Sequence, residues 1–211
     1  MARAGLDTDE VVRAGARLAD VEGLEALTLA RLAGDLGVRA PSLYAHVSGL
    51  DDLRRRIGVR GALELAGELQ TAAAGRAGAD ALDAVARAYR DYARAHPGSY
   101  EALQRAPDPR DARAGAAATR VVDVVRAVLR GYGLDGDDAT HATRAIRSAL
   151  HGFVSLERGG GFGLPLALDE SYAELVEVLD RGLAAASSGR PRRAGPAPRA
   201  RPRRTTPRPK P

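Results

Sequence analysis

Arg39-Ala40-Pro41-Ser42-Leu43-Tyr44-Ala45-His46 brings a guanidinium, two hydroxyls and an imidazole together in one short stretch. Such groups hydrogen-bond to phosphate oxygens and to the edges of bases, and Ala40 and Pro41 supply the apolar contact that a thymine methyl takes. No acid stands among them to repel phosphate. Upstream, Thr28 is of a type that caps a helix by accepting a backbone N–H bond. Thr28 to Val47 therefore reads as helix, tight turn and short helix. Ala33 lets the two helices approach, Gly37 makes the turn, and Leu32, Leu36, Val38, Leu43 and Val47 form an apolar wedge. The outward set of Thr28, Arg39, Ala40, Pro41, Ser42, Tyr44 and His46 then suits the major groove of double-stranded DNA. Helical hairpins with a glycine turn occur in many folds, however, and Tyr44 could equally pack on a neighbouring helix, so periodicity alone leaves both readings open.

Other residues could do other chemistry. Tyr89, Tyr92, His96, Tyr100, Arg147, His151 and Phe153 could line an apolar pocket with a few polar handles; the same residues could be ordinary core with satisfied polar tips. Five of the six tyrosines and both phenylalanines lie beyond residue 60, which favours a small-molecule effector there. Asp137, Asp138 and His141 have the spacing of metal ligands on one helical turn, but acids at a helix start are favoured by the backbone dipole regardless. No metal and no cofactor is expected. The Gly159–Gly163 run has no strand before it, which argues against a nucleotide cradle. With no cysteine in the chain and no paired catalytic carboxylates or Ser-His-Asp arrangement in context, an enzyme is not expected.

The elements that must position these residues read as all-α, in about nine helices. The first covers about 8–22, opened by Asp7-x-x-Glu10 as a capping box and closed by Gly23. Helices follow at about 29–36 and about 41–47, and a fourth opens at Asp51-Asp52 and reaches about Leu69. The Ala/Gly-rich stretch 71–79 separates this part from helices at about 80–96 and Tyr100 to Arg105, then one carrying Val121, Val125, Val128 and Tyr132. An eighth runs at about 138–157, and a ninth carries Tyr172, Leu175, Val176, Leu179 and Leu183.

Charge is distributed unevenly. Residues 190–211 hold nine basic residues, seven prolines and no acid; removing those nine from the net +5 leaves the first 189 residues at −4. Such a tail cannot bury enough surface to offset the entropy of ordering and is expected to be disordered. Residues 1–60 contain nine arginines and nine acids, so any affinity of this part for DNA must come from placement rather than net charge. The expected organisation is a DNA-binding part at 1–60, a larger helical domain at 61–188 and the tail from 189. No run is apolar and long enough to span a membrane, and no membrane partner is expected.

Several positions agree, at fixed spacing, with a known family. The first helix, Leu27-Thr28, Leu32-Ala33, Leu36-Gly37-Val38 and Leu43-Tyr44-x-His46-Val47 together resemble the DNA-binding domain of the tetracycline-repressor (TetR/AcrR) family of bacterial regulators over residues 6–57. The resemblance implies a cytoplasmic homodimer that binds operator DNA and is released by a small-molecule effector. It also implies that Thr28 and Tyr44 hold phosphates while residues 39–42 and His46 face bases. Two positions depart from it: Leu50 stands where a phosphate-contacting lysine is common, and Arg39 where Ser or Thr is usual. Phosphate anchoring would then shift to Arg39 or to Arg54-Arg55-Arg56. Leu150-His151-Gly152 and the residues after it are similar to the branch named for a Trp-His-Gly signature, with Leu150 in place of the Trp. There the last two long helices pair with their copies, which would put Ile146, Leu150, Val154, Leu175, Leu179 and Leu183 at a dimer seam.

Overall fold

The computed structural model describes residues 6–188, so the Arg/Pro-rich stretch 189–211 lies outside the described residues. Within them the chain is all-α, in nine helices. Helix α1 (Thr8–Glu22) starts where the Asp7 carboxylate accepts from the Glu10 backbone N–H at 2.6 Å. Only this half of the anticipated capping box forms, because the Glu10 carboxylate turns to the Arg13 guanidinium at 2.7 Å instead of back to the cap. Helix α2 (Leu29–Leu36) is capped by Thr28, whose hydroxyl accepts from the Arg31 N–H. It ends at Gly37 in the left-handed region, φ 66°, where Val38 N–H reaches Ala33 O and Gly37 N–H reaches Gly34 O. This double bond pattern needs a positive φ at its pivot, which glycine supplies without strain.

The third helix is shorter than its periodicity suggests. α3 covers Ala40–Leu43, and the chain then continues in a looser turn in which His46 and Val47 N–H both bond to Leu43 O. With Pro41 in its first turn, the segment has one donor fewer, and it is held by burial of Leu43 and Val47 rather than by a long hydrogen-bond ladder. α4 (Leu50–Ala73) runs past its anticipated end at Leu69 and at 24 residues is roughly 36 Å long. Asp52 steadies its start by accepting from Ser48 N–H.

α4 belongs to both apolar clusters. Leu53 and Ile57 pack with Val11, Leu27, Leu32 and Leu43, whereas Leu65 and Leu69 pack with residues of α5 (Gly78–Ala95), α7 (Ala112–Arg130), α8 (Gly136–Arg158) and α9 (Leu168–Ser188). The short α6 (Pro97–Leu103) ties the two clusters together. Gly98 backs onto α1 so closely that a Cβ would sit 2.3 Å from the Ala19 carbonyl, and Gly58 of α4 meets the Ala102 carbonyl at 2.7 Å in the same sense. Asp20 of α1 accepts from Ser99 N–H at 2.8 Å and faces His96 at 3.4 Å. A movement of α6 must therefore move α1 and α4 with it, because there is no slack at these contacts.

Candidate nucleic-acid interface

The wedge under α2 and α3 is dry: Leu32, Ala33, Leu43 and Val47 are buried together with Leu27, Val11 and Ile57. On that base the polar set stands outward. Arg39, Pro41 and Ser42 are exposed, and Tyr44 is 61% exposed, unusual for so large an aromatic unless something covers it. Arg39 forms no ion pair among the described residues. Thr28 is exposed and already engaged as the α2 cap. Ala40 is half-buried against the wedge.

His46 does not share the outward face. It is half-buried, with Nδ1 3.5 Å from the Thr8 hydroxyl at the start of α1. Leu50 likewise packs against the first cluster, so this position contributes apolar contact and no charge. Each arginine of the Arg54-Arg55-Arg56 cluster already has an internal partner. Arg54 donates to Leu24 O at 3.0 Å, Arg56 binds Asp52 at 3.1 Å, and Arg55 reaches both Asp52 and Asp111. Burial pushes the Asp52 carboxyl up, but bonds from Ser48 N–H, Arg56 and Arg55 together hold it below the usual carboxylate range. Arg39 is thus the better-placed of the two phosphate anchors that the sequence suggests.

The aromatic residues of the larger cluster take up a different arrangement. Tyr89 and Tyr100 hydroxyls meet at 2.9 Å with their rings edge to face, and the Tyr100 hydroxyl sits 2.6 Å from His151 Nδ1. Burial pushes the Tyr89 and Tyr100 phenols above their ordinary value and, with Arg147 and Arg158 nearby, pushes the His151 imidazole down. Tyr92 turns instead to Glu64 and stacks on His96, which is half-exposed toward Asp20; Arg147 reaches Gln104; Phe153 packs on Phe162 and Tyr172. The seven residues proposed for a pocket thus divide into separate packed and hydrogen-bonded groups. None of them lines either of two clefts that the fold leaves beside α4.

Sequence reasoning missed Arg90. It is 5% exposed and grips Glu157 with two N–H bonds of 2.9 and 2.6 Å, while its guanidinium lies over the rings of Tyr172 and Phe153. Asp169, at the start of α9, completes the group. The Arg90 bonds are the chief reason the Glu157 carboxyl lies below its ordinary value. A long-range pair between α5 and α8 leaves no signature in local spacing.

Comparison with known proteins bears on all of these elements. Residues 82–179 match the family model described as "Tetracyclin repressor-like, C-terminal domain". The chain is 44% identical over 181 residues to the HTH-type transcriptional regulator Rv0681 of Mycobacterium tuberculosis, a match covering 85% of this chain and 83% of that protein. It is 38% identical over 183 residues to the HTH-type transcriptional regulator YobS of Bacillus subtilis, covering 86% and 94%. The chain belongs to the tetracycline-repressor family of transcriptional regulators.

Its fold matches that of a possible TetR family transcriptional regulator from Streptomyces coelicolor A3(2), with a TM-score of 0.68 at 21% identity, over 85% of this chain and 100% of that one. The C-terminal match is to the family domain in general and does not single out the Trp-His-Gly branch. As a tetracycline-repressor family member this protein is a regulator and not an enzyme. No helix among its described residues is long and apolar enough to cross a membrane.

Four of the residues anticipated at the dimer seam lie in the protomer's own core, and two are only partly buried beside it. Ile146, Leu150, Val154 and Leu183 are buried inside the protomer, and Leu175 and Leu179 are packed against the same cluster. A helix with one apolar stripe uses that stripe for its own core first. What α8 and α9 leave outward are Leu156 and Val178, about half exposed each.

Proposed function

We propose that this regulator is a cytoplasmic homodimeric repressor that places the outward face of α3 in the major groove of an operator. Arg39, Pro41, Ser42 and Tyr44 meet the DNA directly. Thr28 lies beside a phosphate at the start of α2, Ala40 seats the turn on the wedge, and His46 positions the turn by its contact with Thr8. The single observation that carries this reading is a guanidinium, a serine hydroxyl and a largely exposed tyrosine standing outward on a fully buried apolar base. In a symmetric dimer joined by the outward faces of α8 and α9, two such turns would read half-sites about 34–36 Å apart. A small-molecule effector that shifts α6 would re-aim α1 and α4, and with them the reading turns, because α6 touches both without slack.

The test is equilibrium binding of the full chain to a pseudo-palindrome from upstream of its own coding region, against a scrambled duplex of equal length at several salt concentrations. Salt-sensitive binding that favours the pseudo-palindrome by about a thousandfold or more is expected, as for sequence-specific readers. Equal affinity for both duplexes at every salt concentration would refute it.

A further inference from the structure

The cleft bordered by α1, α4 and the start of α7 has no part in the reading above. It measures about 470 Å³, inside the roughly 300–1,000 Å³ range of small-molecule sites. Val12 of α1 with Val59 and Leu63 of α4 supply apolar lining, and Leu63 is left 38% exposed. The polar lining is Arg13, Arg55, Arg56, Arg60 and Arg113 against Asp9, Glu64 and Asp111. Five guanidinium groups face three lining carboxylates, and Glu10 and Asp52 are further partners just outside the cleft.

Internal pairing does not exhaust these donors. Arg13 pairs with Glu10, Arg55 and Arg56 share Asp52, Arg55 also reaches Asp111, and Arg60 pairs with Glu64. Arg113 is exposed and forms no ion pair among the described residues. A guanidinium carries five N–H donors in a fixed fork, so one carboxylate partner leaves others free to bind an anion. The first turns of α1 and α7 border the cleft too, but Asp7 and Asp111 already cap them. Guanidinium groups are thus the principal donors that an anion meets here.

We propose that this cleft binds an organic anion consisting of a carboxylate on a short aliphatic body. Arg113 and the adjacent guanidinium groups take the carboxylate, and the aliphatic body covers Val12, Val59 and Leu63. The lining offers many more N–H donors than carboxylate oxygens, which favours an anion over a cation, and a bare inorganic anion leaves the apolar surface uncovered. The site is separate from the tyrosine cluster between α5, α6 and α8. Thr8 lines the same cleft and touches His46, so an occupant sits one side chain away from the reading turn. An effect on DNA rests on the operator reading above, whereas binding of the anion does not.

The experiment is calorimetric titration of octanoate into the full chain without DNA, with acetate and octyltrimethylammonium as parallel titrants. Saturable octanoate binding is expected, weakened about tenfold in Arg113→Gln, as for loss of a charge-assisted bond. Leu63→Glu, at a position exposed enough to tolerate it, is expected to weaken it at least as much while the helical melting curve is kept. Equal binding of acetate or of the cationic amphiphile overturns the proposal, and so does unchanged octanoate affinity in both variants. In a second arm, octanoate should alter operator affinity of the native chain and not of Leu63→Glu. Operator affinity identical with and without octanoate, in a protein that binds octanoate, overturns the coupling alone.

Discussion

The turn around Tyr44 and the cluster around Tyr100 are built from similar side chains and treat them in opposite ways. Near Tyr100 the polar tips are consumed: Tyr89, Tyr100 and His151 bond one another, and Tyr172 donates to Ala86 O at 2.7 Å. Near Tyr44 the apolar residues are buried and the polar ones stand outward, Arg39 without an ion partner. Burial of a polar tip is costly unless it is paired, so pairing in the cluster answers a stability requirement. An unpaired guanidinium and a largely exposed aromatic on a rigid base answer none. That contrast, more than residue type, separates residues that hold the fold from residues available to a partner.

The contrast is sharpest where removal should affect only one side. Arg90→Ala strips Glu157 of both Arg90 bonds and leaves that carboxylate with Arg94 alone. Breaking a buried pair from one side costs about 3 kcal/mol. Urea unfolding should show a loss of that size, with operator affinity intact in the cold where the variant remains folded. A variant as stable as the native chain would show that the Arg90 group carries little of the fold.

Next in size are changes on the outward face, expected to reverse the pattern. Tyr44→Phe keeps the ring and removes the hydroxyl. It should weaken operator binding by about tenfold if that hydroxyl bonds a phosphate, with the unfolding midpoint unmoved. Arg39→Gln should lower affinity for operator and scrambled duplex alike and reduce the slope of log affinity against log salt by about one. If Arg39→Gln instead relaxed preference at a single base pair with no change in slope, Arg39 would be a base reader and not a phosphate anchor.

Much of this was legible along the sequence because it is local. Asp7 and Thr28 as caps, Gly23 and Gly37 as stops, and the α2–α3 wedge follow from side-chain chemistry within a few residues. Features that depend on contacts distant in sequence were not legible. Arg90 and Glu157 are 67 residues apart, and the fit of Gly98 against Ala19 appears only once α6 crosses α1. His46 was read as outward from its side-chain chemistry, although it lies three residues after buried Leu43, a spacing that puts it beside the buried face. At α8 and α9 the apolar stripes were recognised but assigned to a partner copy. Spacing marks which residues share a face and does not tell whether an intramolecular or an intermolecular surface covers that face.

The smallest expected effect tests whether the tyrosine cluster is structural in its protonation as well as its packing. His151 has its pKa lowered, chiefly by burial and then by Arg147 and Arg158, so the folded protein resists a proton that the unfolded chain accepts. Stability from the neutral ring is then complete above the unfolded value near 6.5 and is lost as pH falls below it. The melting temperature should therefore drop between about pH 7.5 and about pH 5.5, where an unperturbed histidine takes up its proton. His151→Gln has no such proton to resist and should drop less, and the three remaining histidines are common to both proteins. In the acid form His151 Nδ1 can only donate to the Tyr100 oxygen, so the Tyr100 hydroxyl proton must turn away from it. An equal drop in both proteins would mean that the 2.6 Å contact tolerates either protonation state, and the cluster would then be held by ring packing alone.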